Sequence, residues 1–489
     1  MINTGKNNGL IFINLFIAII SGVLCFLCSY WADEFYTMCI VKFPLQDAWN
    51  ILKFDVHPPL YYLGAKLFYN ICICMLPEAN IIMVMKVFSF IPALILIVIS
   101  WTRIQKYFGD LVATLFPVAI FMAPHLLTYM TEIRMYSWVM LFVVLAYLEM
   151  YELLINNNTK TLIPFTVWGV LATYTQYYTI IIFGLMLIFI FIATVDDPNI
   201  KSYKIFLSGL FMLIAYIPQI KIFLIQVSLV ANTYGLREIQ PIDIWNAIIY
   251  PFQSQYSEIP LLSILTAFIG VTFLFILIYA WKSKSLENMR LDYIIFALIS
   301  PLLLSGVLLL ISITIKPIFL PRYEIMVLPI FWIAVFYIIS LCKKFQIPVI
   351  LILVICFSID FLTVARCDSY FDSEFIKLDV FLNKTRNEKT VFCSDLKYAL
   401  VNTGILTMDF KPEGVEIIET PYDINDLFTK YDTIYYISET EDNFYLKSQD
   451  IQYTTMERIH NLPDFNCNVE LALTFTNPDT TYNIYKLSK

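Results

Sequence analysis

A few short polar stretches, each flanking a long apolar run, hold the residue types that could do chemistry. Asp33 and Glu34 follow the first such run, residues 8–30. A carboxylate pair where a helix leaves lipid is costly unless it faces water or a site. It reads either as a solvated pair that ends the helix or as a functional acid pair. Downstream comes Asp55-Val56-His57-Pro58-Pro59-Leu60-Tyr61-Tyr62. The two prolines forbid helix at this point and hold His57 in an extended approach. An imidazole placed there suits contact with a phosphate or a hydroxyl. Thr131-Glu132-Ile133-Arg134-Met135-Tyr136 carries the only formal charges between Asp110 and Glu149, with His125 shortly before it. Glu132 and Arg134 could pair with each other across a tight turn. They could equally offer a base-side group and a phosphate clamp. Lys316-Pro317 and Pro321-Arg322-Tyr323 read as interfacial anchors or as phosphate ligands. A guanidinium can grip two phosphate oxygens at once, whereas a lysine acts as a point charge. Tyr174-Thr175-Gln176-Tyr177-Tyr178 reads as an aromatic belt or as a stacking surface for a sugar.

The elements that must position these groups are membrane spans. The chain is 489 residues long and 59% hydrophobic, with a mean hydropathy of +0.72, well above a soluble protein. Apolar runs recur near 8–30, 60–76, 81–101, 111–125, 136–155, 161–175, 178–195, 203–218, 260–281, 291–315, 324–342 and 347–365. Short linkers bearing Arg103 and Lys106, Lys160, Lys201 and Lys204, Lys282, Lys284 and Arg290, and Lys343 and Lys344 are basic and belong in the cytoplasm. Parity then requires 58–76, with Lys66 and Asn70 in mid-run, to lie at the outer interface rather than to cross. The result is about eleven spans, an N-terminus inside, and every polar stretch above on the extracytoplasmic side. Residues 219–259 form the longest loop of the membrane part, expected as one or two interfacial helices. Residues 367–489 change character, with 21 acidic against 11 basic residues and no spanning run. Strand-like TVFCS, VEIIE, TIYYISE, ELALTFT and TYNIYKLS predict a small soluble α/β domain there. The expected fold is thus a polytopic α-helical membrane domain, 1–366, followed by an extracytoplasmic α/β domain, 367–489.

A net charge of −7 argues against a nucleic-acid partner. No GxGxxG or GK[ST] phosphate loop is present, so a nucleotide sugar has no binding motif on the cytoplasmic side. No Cys/His spacing suggests zinc.

Asp33-Glu34 followed by Asp55-x-His57-Pro58-Pro59-Leu60-Tyr61-Tyr62 resembles the polytopic GT-C glycosyltransferases of the protein-O-mannosyltransferase and aminoarabinose-transferase type, family 39-like. Arg134-Met135-Tyr136 matches that family's Arg-x-Tyr motif, with Ile133 a small departure, and Arg322-Tyr323 matches its late Arg-Tyr motif. Gln176 stands where the family often has a histidine. The resemblance covers roughly 8–366 and not the tail. A luminal-loop domain typical of the eukaryotic enzymes has no counterpart, which favours a bacterial type in the inner membrane. The resemblance implies a sugar donor linked to polyprenyl phosphate, met at the lipid boundary. It implies a hydroxyl acceptor on protein, lipid or polysaccharide. Asp33 is then expected as the base that deprotonates the acceptor, with Glu34 and Glu132 orienting it. His57, Arg134, Arg322 and Lys316 are expected around the departing phosphate, and Tyr61, Tyr136 and Tyr323 beside the substrate. One base and one displacement imply inversion at the anomeric carbon. No cofactor is expected, and without a D-x-D motif in the external loops metal dependence is not supported. The alternative reading is a many-spanning transporter or carrier-lipid flippase without transferase activity.

Overall fold

The computed structural model describes residues 4–27, 32–233, 237–254, 259–282 and 291–367, and in the tail 377, 380–381, 384–385, 390–393, 428–439, 468–476 and 481–488. The membrane part is helical throughout. Its helices are α1 (Thr4–Leu27), α2 (Ala32–Lys42), α3 (Leu45–Leu52), α4 (Leu60–Met75), α5 (Ile81–Ile99), α6 (Gln105–Phe108), α7 (Asp110–Met122), α8 (Leu126–Thr131) and α9 (Tyr136–Asn156). They continue with α10 (Leu162–Thr175), α11 (Thr179–Thr194), α12 (Ser202–Thr233), α13 (Pro241–Ile249), α14 (Pro260–Lys282), α15 (Leu291–Thr314), α16 (Leu328–Leu341) and α17 (Gln346–Cys367). A π turn at Ser100–Ile104 joins α5 to α6, and a 3-10 segment, Pro321–Met326, precedes α16. Each of the eleven expected spans coincides with a helix.

Among the described residues six helical stretches are long and apolar enough to cross a bilayer: Ile81–Phe108, Tyr136–Asn156, Ser202–Ser228, Pro260–Lys282, Leu291–Thr314 and Gln346–Arg366. The chain is therefore a multi-pass integral membrane protein. Shorter apolar helices accompany them. At 14 residues, α16 is only about 21 Å long against a hydrocarbon core of about 30 Å. It packs on α7, α9, α14 and α15, and residues 328–336 are all buried. A helix apolar on every side and enclosed by protein is the core of its bundle. The lipid-facing surfaces lie elsewhere. Phe206, Leu213 and Ile217 on α12, and Phe268, Val271 and Leu274 on α14, are each more than half exposed.

One boundary differs from the reading of the sequence. The run 203–218 does not end at Pro218; α12 continues through it to Thr233 over 32 residues. Proline is tolerated inside a membrane helix where neighbours support the backbone around it. Here the Tyr174 hydroxyl donates to the Ala215 carbonyl at 2.7 Å in the same turn. The expected interfacial loop thus begins as an extension of α12 and contains one further helix, α13.

The chain divides into two compact units. The first is Met1–Phe26, Gln46–Phe68 and Lys86–Arg366. The second is Leu27–Leu45, Tyr69–Met85 and Cys367–Lys489. The tail of the second unit holds strands β1 (Thr390–Cys393), β2 (Thr433–Glu439), β3 (Asn468–Thr476) and β4 (Thr481–Ser488) in the order β1-β2-β4-β3. Strands β1 and β2 are parallel, while β3 and β4 form the expected closing hairpin, with an irregularity between Leu471 and Leu473. Val391, Phe392, Ile434, Ile437, Ile484 and Leu487 are its buried apolar residues. The strand-like VEIIE lies outside the described residues.

Candidate active site

In the first unit, chain segments remote in sequence meet at one end of the bundle. Helix α8 packs on α7 and α9, and Pro321–Met326 contacts α9, α13, α15 and α16. The turn between α8 and α9 carries the Glu132–Arg134 motif. The Glu132 amide closes α8 on the Thr128 carbonyl at 2.9 Å, and the Arg134 amide donates to the Glu132 carbonyl at 2.7 Å. This tight turn buries both charged side chains, with Glu132 5% and Arg134 3% exposed.

Arg134 faces the His-Pro-Pro segment. Its Nη1 donates to the Tyr62 hydroxyl at 3.3 Å, and its Nη2 lies 3.5 Å from both ring nitrogens of His57. Asp55 completes this group, with Oδ2 3.8 Å from His57 Nδ1 and Oδ1 accepting from the Val56 amide at 2.7 Å. Burial pushes the Asp55 carboxyl upward, but His57, Arg134 and the Val56 amide together outweigh it. They hold the group below the usual carboxylate range. The assembly sets the carboxylate and imidazole of two half-buried residues against a buried guanidinium and phenol. A buried guanidinium can take a phosphate oxygen, and burial strengthens that contact.

The second guanidinium belongs to another cluster. Arg322 lies in the electrostatic neighbourhood of Tyr129 and Tyr136, together with Glu132 and Tyr323. The Tyr129 and Tyr136 rings meet edge to face at 4.9 Å, and Tyr323 lies 4.3 Å from Tyr178 of the Tyr-Thr-Gln-Tyr-Tyr stretch. The Tyr129 hydroxyl is raised first by burial and then by Glu132, against which Arg322 acts. Glu324, fully buried, accepts from Ser305 Oγ through Oε1, while no hydrogen bond reaches its Oε2. Burial raises this carboxyl well above its ordinary value, partly offset by Ser305. His125 adopts a left-handed backbone, φ 64°, and stacks its ring on Tyr250 at 4.0 Å and 7°. Burial lowers the His125 imidazole to about 3. Tyr250 directly follows α13, so the long loop is anchored into the same cluster.

The structure thus brings His57 to Arg134, and sets Arg322, Glu132 and Tyr323 around Tyr129 and Tyr136. Lys316 sits in the half-buried linker that folds back on α15. There Ser312 Oγ accepts from the amides of Ile318 and Phe319 at 3.1 and 2.9 Å. Tyr61 bonds Ser89 on α5 at 3.2 Å, and its neighbour Tyr62 meets Arg134 instead. Consecutive helical residues point about 100° apart, so only one of the pair can face the arginine. By composition the two tyrosines are equivalent, and the expectation falls on Tyr61. Asp55, Tyr129, Tyr250 and Glu324 also join these clusters. Asp55 stood inside the quoted Asp-x-His-Pro-Pro motif, Tyr129 and Glu324 stood beside motifs, and Tyr250 in the long loop carried no such signal.

Asp33 and Glu34 belong to the second unit. They occupy the first turn of α2, where the helix dipole favours negative charge. Glu34 is 2% exposed, and the Asp33 carbonyl accepts from Thr37 Oγ1 at 3.0 Å.

No family model matches the sequence, and no curated protein matches it. Solved structures do. The chain aligns with ArnT from Cupriavidus metallidurans bound to undecaprenyl phosphate at a TM-score of 0.61 and 10% identity, over 99% of this chain and 98% of that one. It aligns with the apo state of the same protein at 0.59 and 10% identity, over 98% of each chain. At this identity the likeness is one of fold. From end to end the chain shares the fold of that protein, a helical membrane part with a small C-terminal sheet.

Proposed function

We propose that this chain is a membrane glycosyltransferase that moves a sugar from a polyprenyl-phosphate carrier to a hydroxyl acceptor at the extracytoplasmic face, with inversion. The observation that carries the reading is the group in which buried Arg134 and Tyr62 meet half-buried His57 and Asp55, set in a fold of which a solved example holds undecaprenyl phosphate. A polyprenyl phosphate brings an anion to a lipid boundary, and a desolvated guanidinium suits it.

In this mechanism Arg134 and Arg322 hold the phosphate, with His57 and Lys316 adding to the cationic surround. The acceptor oxygen attacks the anomeric carbon and gives its proton to Asp33, assigned as base on the motif that carries it. The bond from the anomeric carbon to the phosphate oxygen breaks, and the electron pair leaves with that oxygen. The arginines stabilise the charge that grows there. Glu34 and Glu132 orient the acceptor, and Tyr136 and Tyr323 border the sugar. Residues 1–366 form the catalytic membrane domain and 367–489 a separate domain on the outer face, with the N-terminus inside. The basic linkers between spans support that orientation.

The test is incubation of the purified protein in proteoliposomes with radiolabelled polyprenyl-phosphate sugars and a membrane extract. The reading expects label transfer by the wild type and its loss in Asp33→Asn. Equal transfer by both would remove Asp33 from the mechanism. No transfer from any donor, together with solute uptake by the vesicles, would favour a transporter.

A further inference from the structure

The Tyr174–Tyr178 stretch has so far been given no part in the chemistry beyond the contact of Tyr178 with Tyr323. Its fourth residue, Tyr177, begins a chain of hydrogen bonds that ends on the backbone of the His-Pro-Pro segment. Gln219 Nε2 on α12 donates to the Tyr177 hydroxyl at 3.1 Å. That hydroxyl donates to Gln226 Oε1, two turns further along the same helix. Gln226 Nε2 in turn donates to the Leu52 carbonyl at 2.7 Å and to the His57 carbonyl at 3.3 Å. Gln226 is 1% and Gln219 3% exposed, so water does not compete for these bonds. Leu52 and His57 bracket a tight turn in which the Asp55 amide returns to the Leu52 carbonyl at 3.3 Å. Pro58 and Pro59 follow and offer no N–H with which the chain could brace itself. One buried amide therefore ties together both ends of the loop that carries Asp55 and His57.

We propose that Gln226, held by Tyr177, is a positioning residue for the transfer reaction: it fixes the 52–57 loop so that His57 and Asp55 stay against Arg134. The inference rests on the transferase reading above, but the strut itself does not. On the loop Gln226 bonds two backbone carbonyls, those of Leu52 and His57. Its effect runs through the position of His57. Bending α12 about Pro218 would carry both glutamines with it, so the strut also links the long helix to the loop.

The experiment compares wild type, Gln226→Leu, Tyr177→Phe, His57→Ala and the double variant Gln226→Leu/His57→Ala in proteoliposomes supplied with radiolabelled polyprenyl-phosphate sugar. Gln226→Leu is expected to lower kcat about 10- to 100-fold with little change in donor KM, the cost of misplacing one group by an ångström. Tyr177→Phe is expected to fall in the same direction by a smaller factor, and it stands in should Gln226→Leu fail to fold. In the His57→Ala background, Gln226→Leu should cost no more than about twofold, because its effect passes through His57. An undiminished loss in that background, or no loss in the wild-type background, overturns the proposal. A second readout needs no transfer. The chain has 3 histidines, so carbethoxylation of His57 by diethyl pyrocarbonate can be followed by mass spectrometry of its own peptide. Release of the strut should speed this modification severalfold in both Gln226→Leu and Tyr177→Phe. An unchanged rate overturns the strut even if the protein transfers sugar, whereas a faster rate with no transfer upholds the strut and refutes the transferase reading.

Discussion

Replacement of Arg134 by lysine separates the guanidinium's shape from its charge. Arg134 is 3% exposed, and the Asp55 carboxylate beside it is nine-tenths buried. Alanine would remove a buried cation whose field acts on Asp55, leaving that carboxylate to His57 alone and destabilising the fold. Such a variant tests folding more than function. Lysine keeps the positive charge near Asp55, so the fold should survive. It loses the planar fork that reaches Tyr62 and His57 and that, on the proposed reading, grips the phosphate. Losing one charge-assisted hydrogen bond to phosphate costs about 1.5–3 kcal/mol. That converts to a fall in kcat/KM of about 10- to 150-fold. The assay is initial-rate label transfer from a polyprenyl-phosphate sugar in proteoliposomes, with donor concentration varied and folding checked by thermal melting in detergent. A lysine variant that melts like the wild type and works within about twofold of it would refute the view that Arg134 grips the phosphate through its fork.

Other outcomes follow from the same geometry. Asp55 is held below its unfolded value of about 3.9, so its contribution to stability is present above that pH and is lost as pH falls through the lower folded value. The Tm should therefore fall more steeply with pH below about pH 4 in the wild type than in Asp55→Asn. His125 runs the opposite way from a histidine that gains a partner. Its folded value of about 3 lies below the unfolded value of about 6.5, so stability should decline as pH drops between the two. His125→Asn tolerates the left-handed backbone and should remove that decline, whereas His125→Val should lose about 1–3 kcal/mol to strain, both read by thermal melting. Arg322→Lys should raise the Kd for polyprenyl phosphate about tenfold, measured by ligand-dependent melting, with no change in the affinity for a phosphate-free prenol.

The membrane architecture was legible because a span has to be apolar over its whole length, and the eleven expected spans all coincide with helices. Where one ends was less legible. A proline next to glutamine reads as a stop, yet α12 continues past Pro218 because the Tyr174 hydroxyl braces the turn from a neighbouring helix. The arginines were readable as rare charges in apolar surroundings. Their partners were not. Tyr61 and Tyr62 are equivalent by composition and differ only in helical phase. Gln226 lies 169 residues from His57, and no local pattern reports a contact at that separation. The left-handed His125 likewise depends on its stack with Tyr250, a residue of the long loop.

The central claim is that the loops of the first unit form the pocket for a lipid-borne phosphate. Photocrosslinking tests it most directly, using a polyprenyl phosphate with a photoreactive group in the isoprene unit nearest the phosphate and mass spectrometry of the labelled peptides. Labelled peptides should fall within 52–62, 125–136 and 316–324, and excess unlabelled polyprenyl phosphate should suppress them. Labelling concentrated instead on the basic linkers at Arg103 and Lys106 or at Lys343 and Lys344, or insensitive to the competitor, would contradict it.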